Sequence, residues 1–116
     1  MLKVINNENK SILEIKVGDK IDETDFEKIK PHIKDKVNEF GKVNLLMRMN
    51  DIPDMSIGAI VEDLKLLKHY NDIEKIAIVG NDSKLEKIVK VEDIIPKIYL
   101  KYFNFEEIDK AWNWLK

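Results

Sequence analysis

The chain has 116 residues, with 20 basic and 22 acidic side chains, no cysteine and 44% hydrophobic residues. That is the size of one ordinary domain, expected to span 1–116 and to bury a core without disulfide or metal staples. A net charge of −2 with both signs scattered argues against a nucleic-acid interface, and the missing cysteine excludes disulfides, cysteine nucleophiles and thiolate metal sites.

Leu2 to Asn6 is a short strand, followed by a polar turn over Asn7 to Lys10. From Ser11 to Val17, Ile12, Glu14 and Lys16 alternate with Leu13, Ile15 and Val17, which marks a strand with one buried and one wetter face. The two strands predict an opening antiparallel hairpin. Asp22 or Thr24 caps a first helix, with Glu27 completing a capping-box pattern after Thr24. Phe26, Ile29, Ile33, Val37 and Phe40 recur at helical spacing, and Gly41 suits the left-handed position past the helix end. Pro31 predicts either a kink or a short turn with a helix beginning near it.

Val43 to Met49 is the next strand, with Val43, Leu45, Met47 and Met49 on one face and Asn44, Leu46 and Arg48 on the other. Ser56 can cap a second helix with the apolar stripe Ile57, Ile60, Val61, Leu64 and Leu67. Ile73 to Val79 is a strand, and Gly80-Asn81-Asp82-Ser83 turns into a third helix carrying Leu85, Ile88 and Val89. Ile98 to Phe103 is the last strand. Asn104 caps a closing helix with Phe105, Ile108, Trp112 and Leu115 on one face; Trp114 lies off that stripe, free to pack on the sheet edge or in a dimer contact.

The order β-β-α-β-α-β-α-β-α predicts an α/β fold with a mostly parallel mixed sheet and right-handed crossovers. Strands of a doubly wound sheet read as near-continuous aliphatic runs, whereas here one face is half polar. Helices are therefore expected mainly on one face, leaving the other for a partner or a second subunit. No apolar run is long enough to span a membrane. Met1 to Ile5 leads straight into a strand-like pattern without signal-peptide architecture, so a cytoplasmic location is expected.

The segment His69-Tyr70-Asn71-Asp72-Ile73-Glu74-Lys75-Ile76-Ala77-Ile78-Val79-Gly80-Asn81, preceded by Glu62-Asp63-Leu64-Lys65, resembles the SpoIIAA-like family, a branch of the STAS-type domains. Tyr102-Phe103 and the run from Glu106 to Leu115 resemble its closing strand and helix. The resemblance covers nearly all of the chain. It implies a sheet layered with helices and a regulatory binding module or a carrier of a small ligand or lipid, with no known reaction. Leu85 stands where relatives often place a tryptophan.

Candidate sites sit at the ends of strands. Asp54-Met55-Ser56-Ile57-Gly58 occupies the loop-to-helix junction after the third strand, where the resemblance places the phosphorylated serine of anti-sigma-factor antagonists. A helix start with unpaired N–H groups suits an anion; the competing reading is Ser56 as a plain N-cap. The Gly80-Asn81-Asp82 turn belongs beside that loop, at the carboxyl ends of the strands where open α/β sheets bind ligands, although it carries no phosphate-binding fingerprint. Ile52 and Met55 either line a pocket or partner patch there or tuck under the loop. Arg48, the only arginine, either pairs with an acid such as Glu14 or binds a carboxylate or phosphate with its fork. His32 and His69 lack the i, i+4 companion of a helical metal site, and no metal or cofactor is expected.

The sequence thus points to a non-catalytic regulatory or ligand-binding module. Its expected contact residues are Ile52, Asp54, Met55, Ser56, Gly80, Asn81 and Asp82, and its partner is a protein, a second copy of the chain, or a small apolar or anionic ligand or lipid. The alternatives are a small hydrolase or transferase using Asp51, Asp54 and Asp82, and a phospho-switch at Ser56.

Overall fold

A computed structural model describes residues 1–6, 11–56, 58–60, 63, 73–92 and 98–116. The expected turn at 7–10, most of the second helix (Ile57, Val61, Leu64 and Leu67 among it) and the His69 to Asp72 part of the family-like segment lie outside the described residues.

Five strands, β1 (Leu2–Asn6), β2 (Ile12–Val17), β3 (Val43–Met49), β4 (Ile73–Gly80) and β5 (Tyr99–Asn104), form one sheet in the order β1-β2-β3-β4-β5. The β1–β2 pair is antiparallel and the other three pairs are parallel, because only the first connection is short enough for a hairpin and each later one has room for a crossover. Helix α1 (Glu23–Phe40) links β2 to β3, α2 (Ser83–Glu92) links β4 to β5, and α3 (Ile108–Leu115) closes the chain after a 3-10 turn at Phe105–Glu107. Residues 58–60 and 63 are helical between β3 and β4.

The period-2 alternation in β2 and β3 assigns the two faces. Leu13, Ile15, Val17, Val43, Leu45, Met47 and Met49 pack with Ile76 and Ile78 beneath Phe26, Ile29 and Ile33 of α1 and Leu85 and Val89 of α2. On the other face Ile12, Leu46, Ala77, Val79 and Phe103 meet Ala111 and Leu115 of α3 alone. Helices therefore lie mainly on one face, as the sequence predicts.

One open alternative is decided and one expectation corrected. Helix α1 is continuous over Glu23–Phe40 with Pro31 inside it, so no turn with a new helix start forms at Pro31; burial of Phe26 and Ile29 before it and Ile33 after it keeps both halves on one apolar stripe, which offsets the backbone hydrogen bond that proline forgoes. The capping box forms between Asp22 and Asp25, not Thr24 and Glu27: the Asp25 N–H donates to Asp22 Oδ1 at 3.1 Å and the Asp22 N–H to Asp25 Oδ2 at 3.0 Å. Thr24 instead donates its hydroxyl to Asp22 Oδ1 at 2.6 Å. That bond, followed by the one from the Asp25 N–H, holds the Asp22 carboxyl below the usual carboxylate range. At the other end Gly41 has φ 80° and its N–H reaches the Val37 carbonyl at 2.8 Å, the left-handed close that only glycine adopts freely.

Candidate functional site

The parallel pairing of β3 with β4 sets Met49 opposite Gly80, so the loop after β3 and the Gly80-Asn81-Asp82 turn emerge side by side at one edge of the sheet. Gly80 is required there by close approach. A Cβ at this position would lie 2.7 Å from Leu85 Cδ1 and 3.0 Å from the Met49 carbonyl oxygen. Asp82 accepts the Lys84 N–H at 2.9 Å and starts α2. The Tyr102 hydroxyl, on the neighbouring strand, donates to the carbonyl of Gly80 at 3.1 Å and approaches that of Asp82 at 3.4 Å. Burial, then the charges of Glu86, Asp82 and Glu107, push the Tyr102 phenol above its ordinary value.

The loop after β3 is tied down rather than free. The Asp54 N–H donates to the Asp19 carbonyl at 2.7 Å, and Met55 packs partly buried against the larger core, while Pro53 is buried and Ile52 stays exposed. Of the paired alternatives for the two apolar loop residues, Met55 tucks under and Ile52 faces out. Ser56 is exposed, and its hydroxyl accepts the Ala59 N–H at 3.0 Å as an N-cap.

Two grooves open at the same edge. One, of about 520 Å³, is walled by Asn81, Ser83 and Glu86 on one side and Tyr102, Asn104 and Glu107 on the other. The second, of about 390 Å³, lies over the half-polar face between Ile5, Lys16, Arg48 and Asn50. Phe105 borders both. Of the sequence-based set, Asn81 lines the first of these two grooves. Glu86, Tyr102 and Glu107 come from separate elements, so no local motif signals their meeting; Arg48 was singled out by its chemistry alone. Its Nη1 bonds Glu14 Oε2 at 3.1 Å, the pairing expected from the sequence. Among the described residues, no three His, Asp or Glu side chains converge as a metal site.

The closing helix is fixed by polar groups of the sheet. The Asn44 Nδ2 donates to the Leu115 carbonyl at 2.7 Å, the Lys75 Nζ donates to the Trp114 carbonyl at 3.0 Å, and the Asn44 Oδ1 accepts the Lys75 N–H at 3.0 Å. The first two satisfy carbonyls that a helix C-terminus leaves without partners, and the third orients the Asn44 amide. Trp114 packs on Phe103, ring centroids 5.9 Å apart, with Lys75 and Lys101 over its ring. It thus takes the sheet-packing alternative.

A family model described as SpoIIAA-like matches residues 12–116. Among solved structures the chain is similar to an uncharacterised protein of the DUF3478 family with a SpoIIAA-like fold from Shewanella loihica PV-4. That likeness has 25% identity and a TM-score of 0.69 over 100% of this chain and 93% of that one. It is also similar to the phosphorylated form of the Bacillus cell fate determinant SpoIIAA, at 14% identity and a TM-score of 0.49, over 96% of this chain and 97% of that one. A comparison with curated proteins finds no match. Among the described residues, no helix is long and apolar enough to cross a membrane.

Proposed function

The chain belongs to the SpoIIAA-like family, and from that premise we propose that it is a regulatory, non-catalytic binding module of STAS type. It takes a protein partner or a small ligand at the edge formed by the carboxyl ends of the parallel strands. The observation that carries this reading is the groove of about 520 Å³ at the ends of β4 and β5, with Asn81 of the strand-end turn in its wall. Its size falls within the range of small-ligand clefts, and its position is where crossovers diverge in open α/β sheets. The adjoining loop presents exposed Ile52, Asp54 and Ser56, a surface suited to a protein partner.

Native mass spectrometry of protein from its own host, followed by denaturing intact mass, tests the reading. A non-covalent adduct lost on denaturation, or a bound protein, supports it, and a dimer mass makes a second copy the partner. Turnover of a substrate that is lost when Asp54 and Asp82 are both changed to Asn would overturn it in favour of a hydrolase or transferase.

A second reading is favoured by the exposure of Ser56 at a helix start. There a phosphate would sit at the positive end of the helix dipole and add close to two negative charges beside Asp54. Covalent phosphate mapped to Ser56, with partner binding lost in Ser56→Asp, is the outcome expected of such a switch; unchanged binding rejects it.

A further inference from the structure

The half-polar sheet face carries an arrangement of charge that the fold itself does not explain. Lys3 pairs across the sheet with Lys16, and Lys16 pairs with Arg48. Three cations therefore stand in one lateral row on adjacent strands, about 4.8 Å apart strand to strand. Like charges placed opposite one another in a sheet cost stability. Helix α3 packs on the β3–β5 part of this face and reaches β2 only at Ile12, whereas Lys3 and Lys16 are exposed, so the row lies open beside it. The single arginine of the chain is at its inner end.

The carboxylate on this part of the face is Glu14, held by Arg48 Nη1 at 3.1 Å. Its side chain is only 8% exposed, against 41% for Arg48, so the pair leaves the outer edge of the guanidinium in solvent. Phe105 backs the same guanidinium, with Arg48 Cζ 5.7 Å from its ring centroid. The fork is thus held by a carboxylate on one side and an aromatic ring on another, which lowers the ordering cost of binding. Among the described residues, neither Lys3 nor Lys16 has an ion-pair partner. The row with Glu14 keeps two net positive charges, on a chain whose overall charge is −2. The groove of about 390 Å³ over Lys16 and Arg48 adds the Asn50 side chain and two apolar walls, Ile5 and Phe105.

We propose that this groove binds a small organic phosphate monoester, its dianion between Lys16 and the outer edge of Arg48 and its apolar body against Ile5 and Phe105. Lys16 and Arg48 face the dianion directly, Lys3 adds a third cation beside Lys16 in the row, and a guanidinium fork matches the geometry of phosphate oxygens. The proposal deepens the binding-module reading and rests on it; it names a ligand class and a groove apart from the one walled by Asn81.

The test is a ¹⁵N–¹H NMR titration of the whole chain with phenyl phosphate, inorganic phosphate and benzyl alcohol. Saturable shifts at the amides of Ile5, Lys16, Arg48, Asn50 and Phe105 are expected with phenyl phosphate, together with weaker binding of inorganic phosphate and no saturation with benzyl alcohol. Lys16 is exposed, so Lys16→Gln keeps the fold and weakens phenyl phosphate about fivefold, the order expected for one solvent-exposed cation. Arg48→Lys keeps the charge beside Glu14 but loses the fork, and weakens binding about tenfold. Added salt weakens it further. No saturable shift in a folded spectrum, or equal affinity in Lys16→Gln and the wild type, overturns the proposal. Equal affinity for benzyl alcohol overturns the anion, and equal affinity for inorganic phosphate overturns the organic class. Shifts confined to Asn81, Glu86 and Tyr102 overturn this groove while supporting the module reading; loss of the module reading is seen instead in the turnover test.

Discussion

Leu45 and Asn44 are neighbours in β3 that serve opposite faces of one sheet, and the two faces are held by different physics. Beneath Leu45 lies a closed apolar layer, covered by α1 and α2. Above Asn44 the cover is α3 alone, eight residues long, and its attachment uses directional bonds from Asn44 and Lys75 to the last two helical carbonyls before the chain end. A short helix buries too little area to be located by burial alone, so polar groups fix its position. Where α3 stops, the same face turns cationic and open. One face makes the fold, and the other has surface to spare for binding.

That contrast can be broken deliberately. Leu45→Ala leaves a cavity in the closed layer and is expected to lower stability by about 3 kcal/mol in urea unfolding; a loss below about 1 kcal/mol would mean that the layer relaxes and is not tightly packed. Asn44→Leu adds apolar area of similar shape but strips partners from the Leu115 carbonyl and the Lys75 N–H. A loss of about 2 kcal/mol is expected, with faster amide exchange confined to α3. A gain in stability would show that burial, not hydrogen bonding, holds the second face.

The edge where the faces meet gives smaller effects. Tyr102→Phe removes the hydroxyl that donates to Gly80 and is expected to cost about 1 kcal/mol at neutral pH. The phenol is raised in the folded chain, so the unfolded chain loses its proton first. That contribution is full below pH about 10, the ordinary tyrosine value, and declines as pH rises through it. The stability gap between wild type and Tyr102→Phe should therefore close above pH about 10; a constant gap would contradict the sign. Smallest of all, Ser56→Ala loses an exposed cap and should cost about 0.5 kcal/mol, while Ser56→Asp restores it. Equal stability of all three would deny Ser56 its capping role.

The strands were legible because their signals are local. The boundaries of β1 and β3 match the sequence reading, and those of β2, β4 and β5 differ by one residue. Side-chain alternation is a property of the extended backbone itself. Helix α1 was legible as a stripe, with a kink and a turn both open at Pro31, since proline removes a helix hydrogen bond locally and the packing of Ile29 and Ile33 on the sheet is what keeps the two halves in one helix. The strand-end loops were legible as turns. Their contacts were not: the Tyr102 hydroxyl reaches Gly80 across 22 positions and Asn44 reaches Leu115 across 71.

The alternation of elements, the apolar face of each, the half-polar character of the other sheet face and the family likeness are all readable along the linear chain. All of these are encoded in spacings of a few residues. Tertiary structure decided which strands are neighbours, and with that everything that depends on lateral pairing. Lys3 and Lys16 carry no signal in the linear chain, and Arg48 stands out there only as the single arginine. They become one row of charge only because β1, β2 and β3 lie side by side in register, and register is fixed by the burial of the opposite face, where a slip of one residue would turn every aliphatic side chain to water.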